Sequence, residues 1–147
     1  MQILIDTGVL LRAFDRSTPT QKTIFRALRS LWTQGHSLCT THQNMAEFWN
    51  VATRPASARG GFGLSPVEAE KRIVTIEKLG SILPFTQVCY STWRQLLMTY
   101  SVIGVSVHDA RLVATMKANG ITHIITLNVS DFQRYDGIVV WSPEDVA

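Results

Sequence analysis

Four acids stand in apolar surroundings along the chain. Asp6 ends the run Ile3-Leu4-Ile5, Glu47 sits inside a helical pattern, Asp109 opens a later one, and Asp131 follows the apolar run ending at Leu127 by four residues. Carboxylates brought within a few ångströms repel one another. A hard divalent cation, Mg²⁺ or Mn²⁺, relieves that repulsion and keeps positions free for water and phosphate oxygens. Cleavage of phosphodiesters uses such a cluster, because the cation activates a water for in-line attack and stabilises the leaving oxygen.

Each acid also has a structural reading. Asp6 could cap the helix after it, Asp109 could be the third residue of a capping box favoured by the helix dipole, and Asp131 could form a turn before Phe132. Glu47 lies opposite the Met45, Phe48, Trp49 and Ala52 stripe and, from pattern alone, reads equally as a solvated residue. Thr7 could hydrogen-bond a carboxylate or cap its helix. Asn128 is neutral but offers a carbonyl oxygen to a metal-bound water.

Competing chemistries fail on residue count. Asp6-Thr7-Gly8 after an apolar run is the aspartic-protease signature, but that chemistry needs two such aspartates in a mainly β framework, and this chain has one copy followed by helix. A haloacid-dehalogenase phosphatase needs a second Asp where Gly8 stands, and a receiver domain needs a lysine beyond Leu127. Phosphate-loop, dinucleotide and GxSxG patterns are absent. His36, His42, His108 and His123 show no metal-ligand spacing, and Cys39 and Cys89 have no CxxC partner and read as buried free thiols.

The elements that must position these acids follow from periodicity. Ile3–Ile5 reads as a buried strand and Val9–Phe14 as a helix, so Asp6 falls at a strand end. Ile24, Ala27, Leu28 and Leu31 give a helix over Thr20–Trp32, and 37–39 is a short strand. Thr40 with Gln43 makes a capping box for a helix over 42–53, and Ser65, Pro66 and Glu68 start another that Gly80 ends. Further helices cover Trp93–Tyr100 and, from a Ser106/Asp109 capping box to Gly120, the segment holding Ala110 and Val113. Ile121–Leu127 and Ile138–Trp141 are strands. Residues 54–63, with Pro55 and three glycines, form a loop that could close over a substrate or be inert. Strands alternating with helices predict an α/β fold with a parallel sheet and helices on both faces, whose ligands bind beyond the carboxyl ends of the strands.

The 147 residues suggest a single domain spanning 1–147 with a full core. The longest apolar runs fall far short of the roughly 18 residues a membrane span needs, and Asp6 interrupts any signal-peptide pattern. The expectation is a cytoplasmic protein with no membrane partner.

The four segments together resemble the PIN-domain ribonucleases, and within them the VapC-like toxins of bacterial toxin–antitoxin pairs. Ile-Leu-Ile-Asp6-Thr-Gly-Val-Leu looks like the family's opening strand and first metal-binding Asp. Asn44-Met-Ala-Glu47-Phe-Trp, Val107-His-Asp109-Ala and Thr126-Leu-Asn128-Val-Ser-Asp131-Phe match the later segments in order, so the resemblance covers nearly the whole chain. It implies a three-layer α/β sandwich with four or five parallel strands. It also implies Mg²⁺- or Mn²⁺-dependent endoribonuclease activity with Asp6, Glu47, Asp109 and Asp131 as catalytic metal ligands, supported by Thr7 and Asn128. A protein antitoxin and a homodimer are implied too. Some members carry an Asp where Asn128 stands, which keeps open a catalytically degenerate RNA-binding module; a nuclease acting on DNA is a further alternative.

No basic run exceeds Lys71-Arg72, so Arg12, Arg16, Arg54, Arg59 and Arg111 are each candidates for phosphate contact or ordinary solvated charge. The net charge of +3 sums 14 bases and 11 acids. If four acids share one pocket, the other seven leave the rest of the molecule at +7, an acidic centre within a basic body.

Overall fold

A computed structural model describes residues 1–147. Five strands form one sheet: β1 (Gln2–Ile5), β2 (Ser37–Thr41), β3 (Gly80–Leu83), β4 (His123–Ile125) and β5 (Val139–Trp141), in the order β3-β2-β1-β4-β5. Every pairing is parallel; Leu4 of β1 stands opposite Cys39 on one side and Ile124 on the other. Eight helices connect and flank the strands: α1 (Thr7–Ala13), α2 (Thr20–Thr33), α3 (His42–Thr53), α4 (Pro66–Glu77), α5 (Gln87–Thr99), α6 (Ser106–Ala118), α7 (Val129–Phe132) and α8 (Pro143–Val146).

The side-chain alternation of a strand divides the core in two. Ile3 and Ile5 pack on one face with Ile24 and Leu31 of α2 and Phe48 of α3. Leu4 and Cys39 pack on the other with Leu96 of α5 and Leu112 and Met116 of α6. Both faces are therefore covered, which is why the strands read as unbroken apolar runs. The result is the expected three-layer sandwich, with five strands.

The strand order reverses beside β1. After β3 the chain returns across the sheet to place β4 on the far side of β1, so the connections from β1 and β4 leave in opposite directions and open a crevice at their carboxyl ends. Asp6 follows β1 directly, and Asn128 and Asp131 follow β4.

Three local expectations are corrected. The capping box of α3 is Thr41 with Asn44, one residue beyond the Thr40–Gln43 pair; Thr40 stays in β2 and its hydroxyl donates to the Ile5 carbonyl at 3.1 Å. α6 starts from Val105 without any side-chain cap, so Ser106 and Asp109 form no capping box. Gly80 does not end α4, whose C-cap is Lys78. It opens β3, where a Cβ would stand 1.8 Å from the Leu38 carbonyl oxygen, so close backbone approach is the reason for glycine here. The strand it opens has no apolar alternation long enough to mark it.

The 54–63 loop is bound to its own helix rather than poised over the carboxyl edge. Phe62 N–H donates to Val51, Gly63 N–H to Arg54 and Leu64 N–H to Ala52, all at the far end of α3 from the sheet's carboxyl edge.

Candidate active site at the carboxyl edge of the sheet

Asp6 caps α1, its Oδ1 accepting from the Thr7 N–H at 2.8 Å. It is also the centre of a buried polar group, so capping does not account for all of its contacts. Its Oδ2 accepts from the Thr126 hydroxyl at 2.7 Å, and Asn44 Nδ2 lies 3.5 Å from Oδ1. Only 7% of Asp6 is exposed. Burial pushes its pKa above the ordinary carboxylate value; the hydrogen bonds from Thr126 and Thr7 oppose this, and the charges of Glu47 and Asp131 add to it.

Glu47 lies in the second turn of α3 and turns toward the sheet edge. Its Oε2 accepts from the Thr7 hydroxyl at 2.7 Å and its Oε1 from Gln43 Nε2 at 3.0 Å. The Thr7 hydroxyl in turn accepts from Asn44 Nδ2 at 2.9 Å, and Asn44 Oδ1 accepts from the Thr41 hydroxyl at 2.7 Å. Thr41, Asn44, Thr7 and Glu47 thus form one directed chain of hydrogen bonds joining β2, α3 and α1. Asn44 is fully buried, where an amide without partners would cost about 1–3 kcal/mol.

Asp109 stands in the first turn of α6 and is half-buried. Burial first, then the charges of Asp131, Asp6 and Glu47, push its pKa up to about 6, eased only slightly by His108. Gln43 Nε2 reaches across to the His108 carbonyl at 2.9 Å while bonding Glu47, which ties the α3 acid to the start of α6. Asp131, in α7, is exposed. Asn128 is exposed as well and caps α7 in position only, with no side-chain capping bond; its backbone N–H donates to the Thr126 hydroxyl at 3.0 Å.

All four acids therefore meet at one edge and act on one another through their fields. None has a basic partner, since the one ion pair in the chain joins Arg12 to Asp15 at 2.9 Å. No three His, Cys, Asp or Glu side chains converge as a ready-made ligand set; like charges stand apart, and Asp6 and Glu47 are turned onto hydroxyl donors. The fit to a cation lies in donor chemistry and field. Carboxylate oxygens without thiolate or imidazole suit Mg²⁺ or Mn²⁺ rather than Zn²⁺.

The sequence pattern gives no site role to Asn44 or Thr126, and gives Gln43 only a capping role. Their positions do carry a signal: Gln43 and Asn44 precede Glu47 by four and three residues, the spacing of one helix face, and Thr126 is the first residue after β4. Of the candidate arginines, Arg54 is bound at the far end of α3, its Nη1 donating to the Arg59 carbonyl at 2.8 Å, and Arg12 is held by Asp15.

Open α/β sheets place their sites in the crevice where the strand order reverses, and residues 3–138 match the PIN domain family. The chain belongs to that family. No relative among curated proteins matches it in sequence. Among solved structures, a chain of VapBC2 from Rickettsia felis, bound to a DNA fragment from their promoter, superposes with a TM-score of 0.71 at 14% identity over 97% of this chain and 98% of that one. FitAcB from Neisseria gonorrhoeae gives 0.71 at 20% identity over 96% and 97%. VapC20 of Mycobacterium tuberculosis, a sarcin–ricin loop cleaving toxin, gives 0.60 at 17% identity over 83% and 86%. At these identities the likeness is one of fold.

Proposed function

We propose that residues 1–147 form a single PIN nuclease domain that hydrolyses RNA phosphodiester bonds with Mg²⁺ or Mn²⁺, as the toxin of a toxin–antitoxin pair acting in the cytoplasm as a homodimer. The observation that carries the reading is the gathering of Asp6, Glu47, Asp109 and Asp131 at one sheet edge with no basic partner, a charge arrangement that a bound cation would balance at neutral pH. Family membership supports nuclease chemistry. The likeness to a sarcin–ricin loop cleaving toxin supports RNA, and the likeness to VapBC and FitAcB structures supports an antitoxin partner.

Asp6, Glu47, Asp109 and Asp131 would hold the cation. When bound, it supplies the charge that activates a water and stabilises the leaving oxygen. The chain supplies the rest. Thr126 and Thr7 fix the Asp6 carboxylate and Thr7 and Gln43 fix that of Glu47, so neither acid must reorganise when substrate arrives. Asn128, exposed just beyond β4 and without a side-chain capping bond, would support the cation through its side-chain carbonyl.

Purified protein should cleave structured RNA with Mn²⁺ or Mg²⁺, lose that activity in EDTA, and lose it in Asp6→Asn. Cleavage surviving both treatments sinks the reading. RNA binding without cleavage favours instead a degenerate RNA-binding module, for which Asn128 in an acid's position is the motive. Preference for a DNA strand of matched sequence indicates a DNA nuclease.

A further inference from the structure

Arg111 stands in the second turn of α6, and its guanidinium carbon lies 4.2 Å from the centroid of the Phe85 ring, the shortest such approach in the molecule. Phe85 lies two residues beyond the end of β3, at the carboxyl edge where the acids meet. α6 begins at that edge, because it feeds the parallel strand β4 from the opposite end; Arg111 is about 3 Å along the helix axis from Asp109 but turned roughly 200° from it, so Phe85 and not Asp109 fixes where the guanidinium lies at that edge.

A guanidinium lying over a ring loses water from one face, while its five N–H donors stay in its own plane, free of the ring. No acceptor in the protein takes these donors: Arg111 has no side-chain hydrogen bond, and the only ion pair is elsewhere. The other arginines that lie near aromatic rings differ. Arg12, beside Phe62, is neutralised by Asp15; Arg94 donates to the Tyr90 hydroxyl and Arg134 to the Tyr100 carbonyl. Arg72 stacks on Phe14, at the end of α1 away from the carboxyl edge.

We propose that Arg111, braced by Phe85, is a backbone-phosphate subsite for the nucleic-acid strand that lies across the acidic crevice. This rests on the nuclease reading and adds to it a fixed cation beside a cleft whose own charge repels the strand. A planar, pre-oriented fork gives two parallel bonds to one phosphate, which a lysine on a flexible stem does not.

The test is binding of a short fluorescein-labelled single-stranded RNA of mixed sequence, followed by anisotropy in EDTA over a range of salt, beside cleavage kinetics in Mn²⁺. Arg111→Ala should weaken binding about tenfold, the size of one charge-assisted hydrogen bond, and flatten the log–log salt slope by about 0.7, one phosphate on a single strand. In cleavage, KM should rise with kcat largely kept. Arg111→Lys should restore the slope but only part of the affinity, and Phe85→Leu should weaken affinity without changing the slope. Lys78→Ala, which removes one charge at the opposite edge of the sheet, should change neither. The proposal is overturned if Arg111→Ala and Arg111→Lys both bind with wild-type affinity and slope, or if Lys78→Ala loses as much as Arg111→Ala. Wild-type protein that binds this RNA but never cleaves it would instead sink the nuclease reading and leave the subsite standing.

Discussion

The Thr7 hydroxyl donates to Glu47 Oε2 at 2.7 Å across 40 residues of sequence. That bond joins the first turn of α1, fixed by Asp6, to the second turn of α3, so one small side chain sets the spacing of two acids. Thr7→Val removes both its bonds and leaves the buried Asn44 amide short of an acceptor. The expected cost is about 1–3 kcal/mol in urea denaturation, with a higher Mn²⁺ concentration needed for half-maximal cleavage. Thr7→Ser should keep both. A Thr7→Val variant as stable and active as wild type, with Thr7→Ser the weaker of the two, would show that the methyl group, not the hydroxyl, matters.

Thr126 is fully buried and serves two partners, donating to Asp6 and accepting from the Asn128 N–H. In Thr126→Val the Asp6 carboxylate loses the hydrogen bond that most lowers its pKa. Its pKa should move further up, visible by carbon-detected NMR titration of the metal-free protein. An unmoved Asp6 titration would refute the role.

The metal-free protein should become more stable as pH falls from 7 to 5. The Asp109 pKa is raised to about 6. A carboxyl raised in the folded state destabilises when ionised, so the penalty is absent below the unfolded value and complete above the folded one. Asp6 is shifted in the same direction. Discounted for the water that reaches a half-exposed side chain, Asp109 contributes about 1–2 kcal/mol. Asp15 runs oppositely: Ser17 and Arg12 lower its pKa, so its contribution is lost only as pH falls below the ordinary Asp range. Denaturant midpoints at pH 7, 6, 5 and 3 should rise and then fall. Asp109→Asn should match or exceed wild type at pH 7 and lose cleavage; a large loss of stability with activity intact would make Asp109 structural.

Gln43 is half-exposed and makes two bonds from one nitrogen, to Glu47 and to the His108 carbonyl. Gln43→Ala should leave the melting temperature within a few degrees, since a half-exposed change costs about 0.5–1 kcal/mol, while weakening Mn²⁺ binding by calorimetry severalfold. Unchanged Mn²⁺ affinity would remove it from the site.

Gly80→Ala should destabilise by about 3 kcal/mol, because its Cβ has no room beside the Leu38 carbonyl. Chemical denaturation checks this.

Much of the scaffold was legible because burial on both faces writes itself as unbroken apolar runs. Ile3–Ile5 and Ile121–Leu127 mark their strands for that reason, and α3 was bounded at both ends. Capping residues were off by one where two threonines stand side by side: Thr40 and Thr41 are both good caps, and only pairing of Thr40 with Ile5 decides that Thr41 does the capping. β3 was illegible because its edge position and half-buried residues leave no alternation.

The sequence alone determined that acids follow or open apolar segments, and that Asp6 must lie where a buried strand ends, since a charge cannot continue into the core. Only the tertiary structure decided that β4 returns beside β1. That reversal brings Asp131 and Thr126 to Asp6 across 120 residues, and no local propensity encodes it. It also decided that Glu47 faces the cleft rather than solvent, because its partners Thr7 and Gln43 lie there, and that Arg111 stands on Phe85. Local pattern fixes which way a residue faces along its own element; which elements share an edge depends on packing both faces of the sheet at once.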